Sequence, residues 1–196
     1  MSRPRKLKAS YDANVVILYQ LCTAKEAKQA LRDNSLAHVS DQKYTWIQPS
    51  FIWSTVRSGF GRKMQVIQVD VSKEGFIWML ENSCLSAFES FSAHPTKQEW
   101  EDRRKHSLVT ALWEPDLDFT GRALESDYLR VCLTGEARAQ YVQRWVVGLR
   151  DVSKRMHKIW DILGHGWDYR DEDLPKEEEY PLSNNHTRLI LGLSSS

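Results

Sequence analysis

Cysteine is scarce in this chain, no charge of one sign dominates it, and no long apolar run interrupts it. The three cysteines among 196 residues, Cys22, Cys84 and Cys132, are widely spaced and set among apolar neighbours. An odd, dispersed trio suits buried, reduced thiols better than a disulfide frame or a zinc site, and points to a cytoplasmic or nuclear chain. Histidine adds no metal site, because His94, His106, His157, His165 and His186 lack the paired spacing that puts two imidazoles on one helical face. With 27 basic and 26 acidic residues the formal net charge is +1, so no overall field draws the molecule to nucleic acid or anionic lipid. No segment could span a bilayer, and the basic opening Met1 to Lys8 lacks the apolar core of a signal peptide. No Gly-x-Ser-x-Gly elbow is present, which leaves hydrolysis without a signature.

Tryptophan is abundant, with eight residues, and the apolar pattern is that of one globular α+β domain. Asn14 to Leu21 is β-branched and aromatic and reads as a central strand, followed by a helix that the capping box Thr23 to Glu26 opens and that ends near Asn34. Tyr44 to Gln48 reads as a short strand, with Pro49 suited to the first turn of a helix over Ser50 to Ser58. Gly59 and Gly61 bracket Phe60 in a turn, and Met64 to Val71 alternates as a strand. Ser72 caps a helix carrying Phe76, Met79 and Leu80, and a second capping box, Thr96 to Glu99, opens a charged helix to Lys105. Leu108 to Trp113 and Tyr128 to Leu133 supply two more strands, separated by a loop with Pro115, Asp116 and Gly121. Ala137, Tyr141, Trp145 and Leu149 recur every fourth residue and predict an amphipathic helix over Gly135 to Leu149, with another from Ser153 to Leu163.

These elements predict a central, mostly antiparallel or split sheet flanked by helices. Residues 1–10 read as a basic arm and 11–165 as the single domain. Residues 166–196 read as a partly ordered tail, first acidic (Asp168, Asp171, Glu172, Asp173, Glu177, Glu178, Glu179) and then rich in Ser and Asn around Leu189 to Leu193.

One strand-to-helix transition concentrates the chemistry. Trp46, Pro49, Ser50, Trp53 and Arg57 fall within it, with Ser50, Trp53 and Arg57 spaced for one helical face. A helix start near Ser50 offers amides to an anion, and Arg57 can pair with phosphate, which predicts a nucleotide or phosphate pocket. The bland alternative makes both indoles core rings. Tyr19 and Gln20 end the first strand, and alternation turns one of them inward. Glu136 begins a helix just after a strand, a place that a carboxylate also takes for its favourable helix dipole. The basic runs Arg3 to Lys8, Arg62-Lys63 and Arg103 to Lys105, near Phe60 and Trp100, admit single-stranded nucleic acid as an alternative partner. A protein-interaction role is a third reading.

The chain resembles the domain of unknown function family numbered 4291 from about Lys8 to Leu182. The likeness is carried by Tyr11-Asp12 with Val16 to Gln20, by Thr45 to Trp53 with Arg57-Ser-Gly59 and Gly61, by Glu74-Gly75-Phe76, by Asn82 to Leu85, by Leu133 to Ala137 and by Tyr180-Pro-Leu182. Gln48 and Asp127 stand where basic residues are common in that family. The resemblance implies a shared fold and site without naming a reaction. At the level of fold, the β-α opening also resembles compact ADP-ribosyltransferase-like domains, which hold NAD between two small sheets. That analogy implies NAD as cofactor, Tyr19, Gln20, Trp46, Ser50, Trp53 and Arg57 around it, and Glu136 as the carboxylate that orients the ribose, with Thr134 two positions before it.

Overall fold

The computed structural model describes residues 3–39, 43–166 and 174–193. In chain order the strands are β1 (Lys8–Tyr11), β2 (Val15–Cys22), β3 (Thr45–Ile47), β4 (Gln65–Ser72), β5 (Ser83–Leu85), β6 (Val109–Leu117), β7 (Ala123–Leu133), β8 (Val146–Asp151) and β9 (Glu178–Glu179). The helices are α1 (Ala24–Asp33), α2 (Phe51–Arg57), α3 (Lys73–Glu81), α4 (Lys97–His106), α5 (Gly135–Gln140), α6 (Ser153–Gly164) and α7 (Asn185–Ile190).

The strands form two sheets, as the α+β reading expected of a split sheet. The first runs β8-β4-β2-β1-β9 and is antiparallel throughout; the second runs β3-β7-β6-β5, with only β5 and β6 parallel. Alternation explains how both sheets feed one core. Val16 and Leu18 of β2 and Ile67, Val69 and Val71 of β4 meet Leu129, Val131 and Leu133 of β7 and Val109 and Ala111 of β6. The other face of the first sheet carries Tyr19 and Val66 into a smaller cluster with Phe51 of α2 and Met156 and Ile159 of α6.

Local signals set most boundaries. Both expected capping boxes form, Thr23 with Glu26 and Thr96 with Glu99, and Asn34 closes α1 in the left-handed conformation. Ser72 caps α3 through the Gly75 amide. Gly59, Phe60 and Gly61 all take positive φ, which is the turn that the glycine pair predicted. Pro49 precedes the cap instead of entering the first turn, since Ser50 is the N-cap of α2. The three cysteines are free and buried.

The stretch Gly135 to Leu149 is not one helix. It begins as α5, widens into a π-helical turn over Tyr141–Trp145, and becomes β8 at Val146. Ala137, Tyr141 and Trp145 are buried as the spacing required, but the β-branched Val146 and Val147 favour an extended chain that pairs with β4. The expected loop before Tyr128 is mostly hairpin: β6 and β7 run on to a tight turn at Asp118 to Gly121, and Pro115 is tolerated beside a register shift. The basic N-terminal segment supplies β1, with Leu7 and Ala9 buried. In the C-terminal segment Asp168, Asp171, Glu172 and Asp173 lie outside the described residues, whereas Glu178 and Glu179 form β9 and Leu191 is fully buried.

Candidate functional site

β2 and β3 belong to different sheets and touch at a single bridge, where Tyr19 and Gln48 exchange backbone hydrogen bonds of 2.7 and 3.1 Å. Beyond it the strands diverge. The fork holds a cavity of about 230 Å³ lined by Gln20 and Cys22 of β2, Thr45 and Trp46 of β3, Trp53 of α2 and Arg130 of β7, with Glu26, Tyr44 and Met64 toward the rim.

Arg130 organises one wall. On β7, Tyr128, Arg130 and Cys132 face away from the shared core that takes Leu129, Val131 and Leu133. The Arg130 guanidinium lies 4.5 Å from the ring centroids of both Trp46 and Trp53, and Nη1 donates to Glu114 at 2.7 Å. The Tyr128 hydroxyl donates to the same Glu114 oxygen at 3.3 Å, and burial with the nearby Glu114 charge holds that phenol above its ordinary range. The Arg130 Nε is buried without a partner among the described residues. Stacking and a carboxylate partner together fix a planar cation against two indoles, an arrangement that lysine could not reproduce.

Of the residues singled out from sequence, the structure brings Gln20, Trp46 and Trp53 to the cavity. Tyr19 turns to the opposite face and packs on Phe51 with ring centroids 5.5 Å apart. Its hydroxyl is buried without a partner among the described residues. Ser50 Oγ accepts from the Trp53 amide at 3.3 Å, and Glu177 takes the Phe51 amide at 2.7 Å. Two of the amides expected to hold an anion at the start of α2, those of Phe51 and Trp53, are thus already committed. Arg57 is exposed at the other end of α2, 5.1 Å from the Trp53 ring centroid. Glu136 is exposed in the first turn of α5, accepts from Gln140 at 3.0 Å, and does not line the cavity.

Sequence reasoning missed Arg130. Its signal was present in the alternation of Tyr128 to Leu133, where an arginine sits mid-strand on the face opposite the aliphatic residues. Cys22 also lines the cavity, but burial pushes its thiol up to about 12, so it is neutral and no nucleophile. Among the described residues no group of His, Cys, Asp or Glu is arranged to hold a metal ion, and no helix is long and apolar enough to cross a membrane. The aromatic rings near the basic runs are mostly occupied. Phe60 and Trp100 are buried, Trp100 donates to the Leu85 carbonyl at 2.9 Å, and Arg104 lies over its ring.

Two small sheets, with an indole-lined cavity in the fork beside the Tyr19–Gln48 bridge, make up an α+β domain. The chain belongs to the family described as Domain of unknown function (DUF4291), whose model matches residues 6–180. Comparison with curated proteins gave no match.

Proposed function

We propose that the domain binds an NAD-type dinucleotide in the fork between β2 and β3. The observation that carries this reading is the cavity itself, at the junction of two sheets and walled by Trp46, Trp53 and the stacked Arg130. Its volume of about 230 Å³ falls below the roughly 300–1,000 Å³ of sites that enclose a whole drug-sized ligand. It therefore suits one ring of a dinucleotide, with the remainder lying along the surface.

Calorimetry with NAD and ADP-ribose tests the reading directly: binding of NAD that Trp46→Ala weakens supports it, and no heat at millimolar ligand from a folded sample ends it. An ADP-ribosyl transfer activity would add a carboxylate that stabilises the ribose cation as nicotinamide leaves; Glu136, which the fold-level analogy implies, lies outside the cavity lining and would act only on a ribose held beyond it. Preorganised charge of this kind is worth a few kcal/mol, so Glu136→Gln should slow nicotinamide release by roughly a hundredfold while leaving NAD affinity unchanged. Equal rates in parent and variant would make Glu136 a helix-start residue only. The nucleic-acid alternative needs free stacking faces, and the burial of Phe60 and Trp100 leaves it the weaker reading.

A further inference from the structure

Gln20 is a buried polar side chain, 6% exposed, in the wall of the cavity. The fully buried Tyr141 hydroxyl donates to its Oε1 at 3.2 Å, which fixes the amide and leaves Nε2 without a protein partner among the described residues. Nε2 is not among the polar atoms sealed from solvent, so it is a donor open to a ligand in the cavity. The backbone of the fork has the same character. Successive residues of a strand send their amide and carbonyl groups to alternate sides. Because Tyr19 and Gln48 direct theirs across the bridge, Leu21 and Trp46, two residues further along each arm, direct theirs into the fork, where no backbone bond joins them. The site therefore presents both donors and acceptors close to an indole ring.

The cavity is poorly suited to phosphate. Arg130 is already paired with Glu114, the Phe51 and Trp53 amides of α2 are taken by Glu177 and Ser50, and the Glu26 carboxylate lies at the rim. A group that both accepts and donates, carries no negative charge and sits on a flat ring matches the lining. We infer that the fork is a carboxamide-reading subsite: Gln20 Nε2 donates to the ligand's carbonyl oxygen, a backbone carbonyl of Leu21 or Trp46 accepts from its NH2, and the ring lies against Trp46. This rests on the dinucleotide reading and names the nicotinamide as the end that enters, with the phosphates left outside.

The experiment compares four ligands on the full chain by calorimetry: NAD, nicotinic acid adenine dinucleotide with a carboxylate in place of the carboxamide, ADP-ribose and free nicotinamide. A carboxylate leaves the backbone acceptors unpaired, so NAD should bind at least about tenfold more tightly than the acid dinucleotide and than ADP-ribose. Gln20→Leu should reduce that preference to about threefold or less. Tyr141→Phe, which keeps the ring and releases the Gln20 amide, should reduce it in part if Gln20→Leu fails to fold. Equal affinity for NAD and the acid dinucleotide overturns the subsite and leaves the dinucleotide reading standing. Binding of free nicotinamide, sensitive to Gln20, without binding of NAD supports the subsite and removes the dinucleotide reading. Silence from all four ligands overturns both.

Discussion

The same residue types stabilise or cost according to what surrounds them, and the charged side chains show this most clearly. Arg130 and Glu114 keep 19% and 25% of their side chains exposed, whereas Arg144 and Glu74, 3.3 Å apart, keep 66% and 75%. Solvent screens the second pair to roughly 0–1 kcal/mol. Removing Arg130 strands Glu114 in a partly desolvated wall, a loss on the order of 2 kcal/mol, below the roughly 3–5 of a fully buried pair. Urea unfolding should therefore show Arg130→Met clearly destabilised and Arg144→Met within about 0.5 kcal/mol of the parent; equal losses would mean that the Arg130 pair is no more than a surface contact. Gly75 is the steric counterpart. A Cβ there would overlap the Trp145 ring, which lies against α3 beside Trp78. Gly75→Ala, favourable for an isolated helix, should instead lower the melting temperature by several degrees, since overpacking costs about 1–3 kcal/mol. This gives a physical reason for glycine in the Glu74-Gly75-Phe76 motif, one that sequence alone could not supply because the ring arrives from 70 positions away.

Elements with a local signature were legible, and elements defined by a distant partner were not. The capping boxes of α1 and α4, the β-branched and aromatic run of β2 and the alternation of β4 specify themselves within about ten residues. β1, β5 and β9 are short and gain their hydrogen bonds from strands elsewhere in the chain, so nothing local marked them, and the β-branched pair that opens β8 was masked by the helical spacing that runs through it. The candidate site divides in the same way: Trp46 and Trp53 stood out within one motif, whereas Arg130 enters from another strand. Glu177 is the sharpest example at this scale, because a residue of the acidic stretch caps α2 from 126 positions away through the Phe51 amide. Burial pushes its carboxyl up to about 7 from an ordinary 4.5, against the opposing effect of that amide; Asp116 reinforces the rise, Lys8 counters it, and Tyr19 and Arg155 lie close by. A carboxyl whose folded value is raised holds its proton better in the native state. The contribution of Glu177 to stability is therefore greatest below about 4.5, falls as pH rises to about 7, and then levels off, by an amount on the order of 3 kcal/mol. Glu177→Gln keeps an oxygen for the Phe51 amide and removes the titration. Denaturation midpoints at pH 5 and pH 8 should differ less in the variant than in the parent, and an unchanged difference would place the titrating group elsewhere.

Across the whole molecule, the two ends of the chain are structural members that tie the sheets together. Lys8 to Tyr11 lies between β2 and β9, so without it the first sheet loses an inner strand and the pairing of β9. Just before it, Pro4 and Lys6 exchange backbone bonds with Asp127 of the second sheet at 2.9 and 3.3 Å. Arg5 pairs with both oxygens of Glu89, donates to the Gly192 carbonyl at 3.0 Å, and lies over the rings of Phe91 and Trp113. One guanidinium thus joins the N-terminal segment, the loop after β5, the second sheet and the C-terminal turn after α7. Deleting residues 1–10 removes all of this together with the buried Leu7 and Ala9, and leaves Glu89 and the Asp127 backbone groups without partners. The expected product is a chain without a cooperative thermal transition. Arg5→Ala alone, which keeps β1, should still unfold cooperatively at a lower temperature, because its partners remain partly solvated. Differential scanning calorimetry orders the two variants, and a deletion of residues 1–10 that melts with the parent's midpoint and enthalpy would show that the first ten residues contribute nothing to the fold.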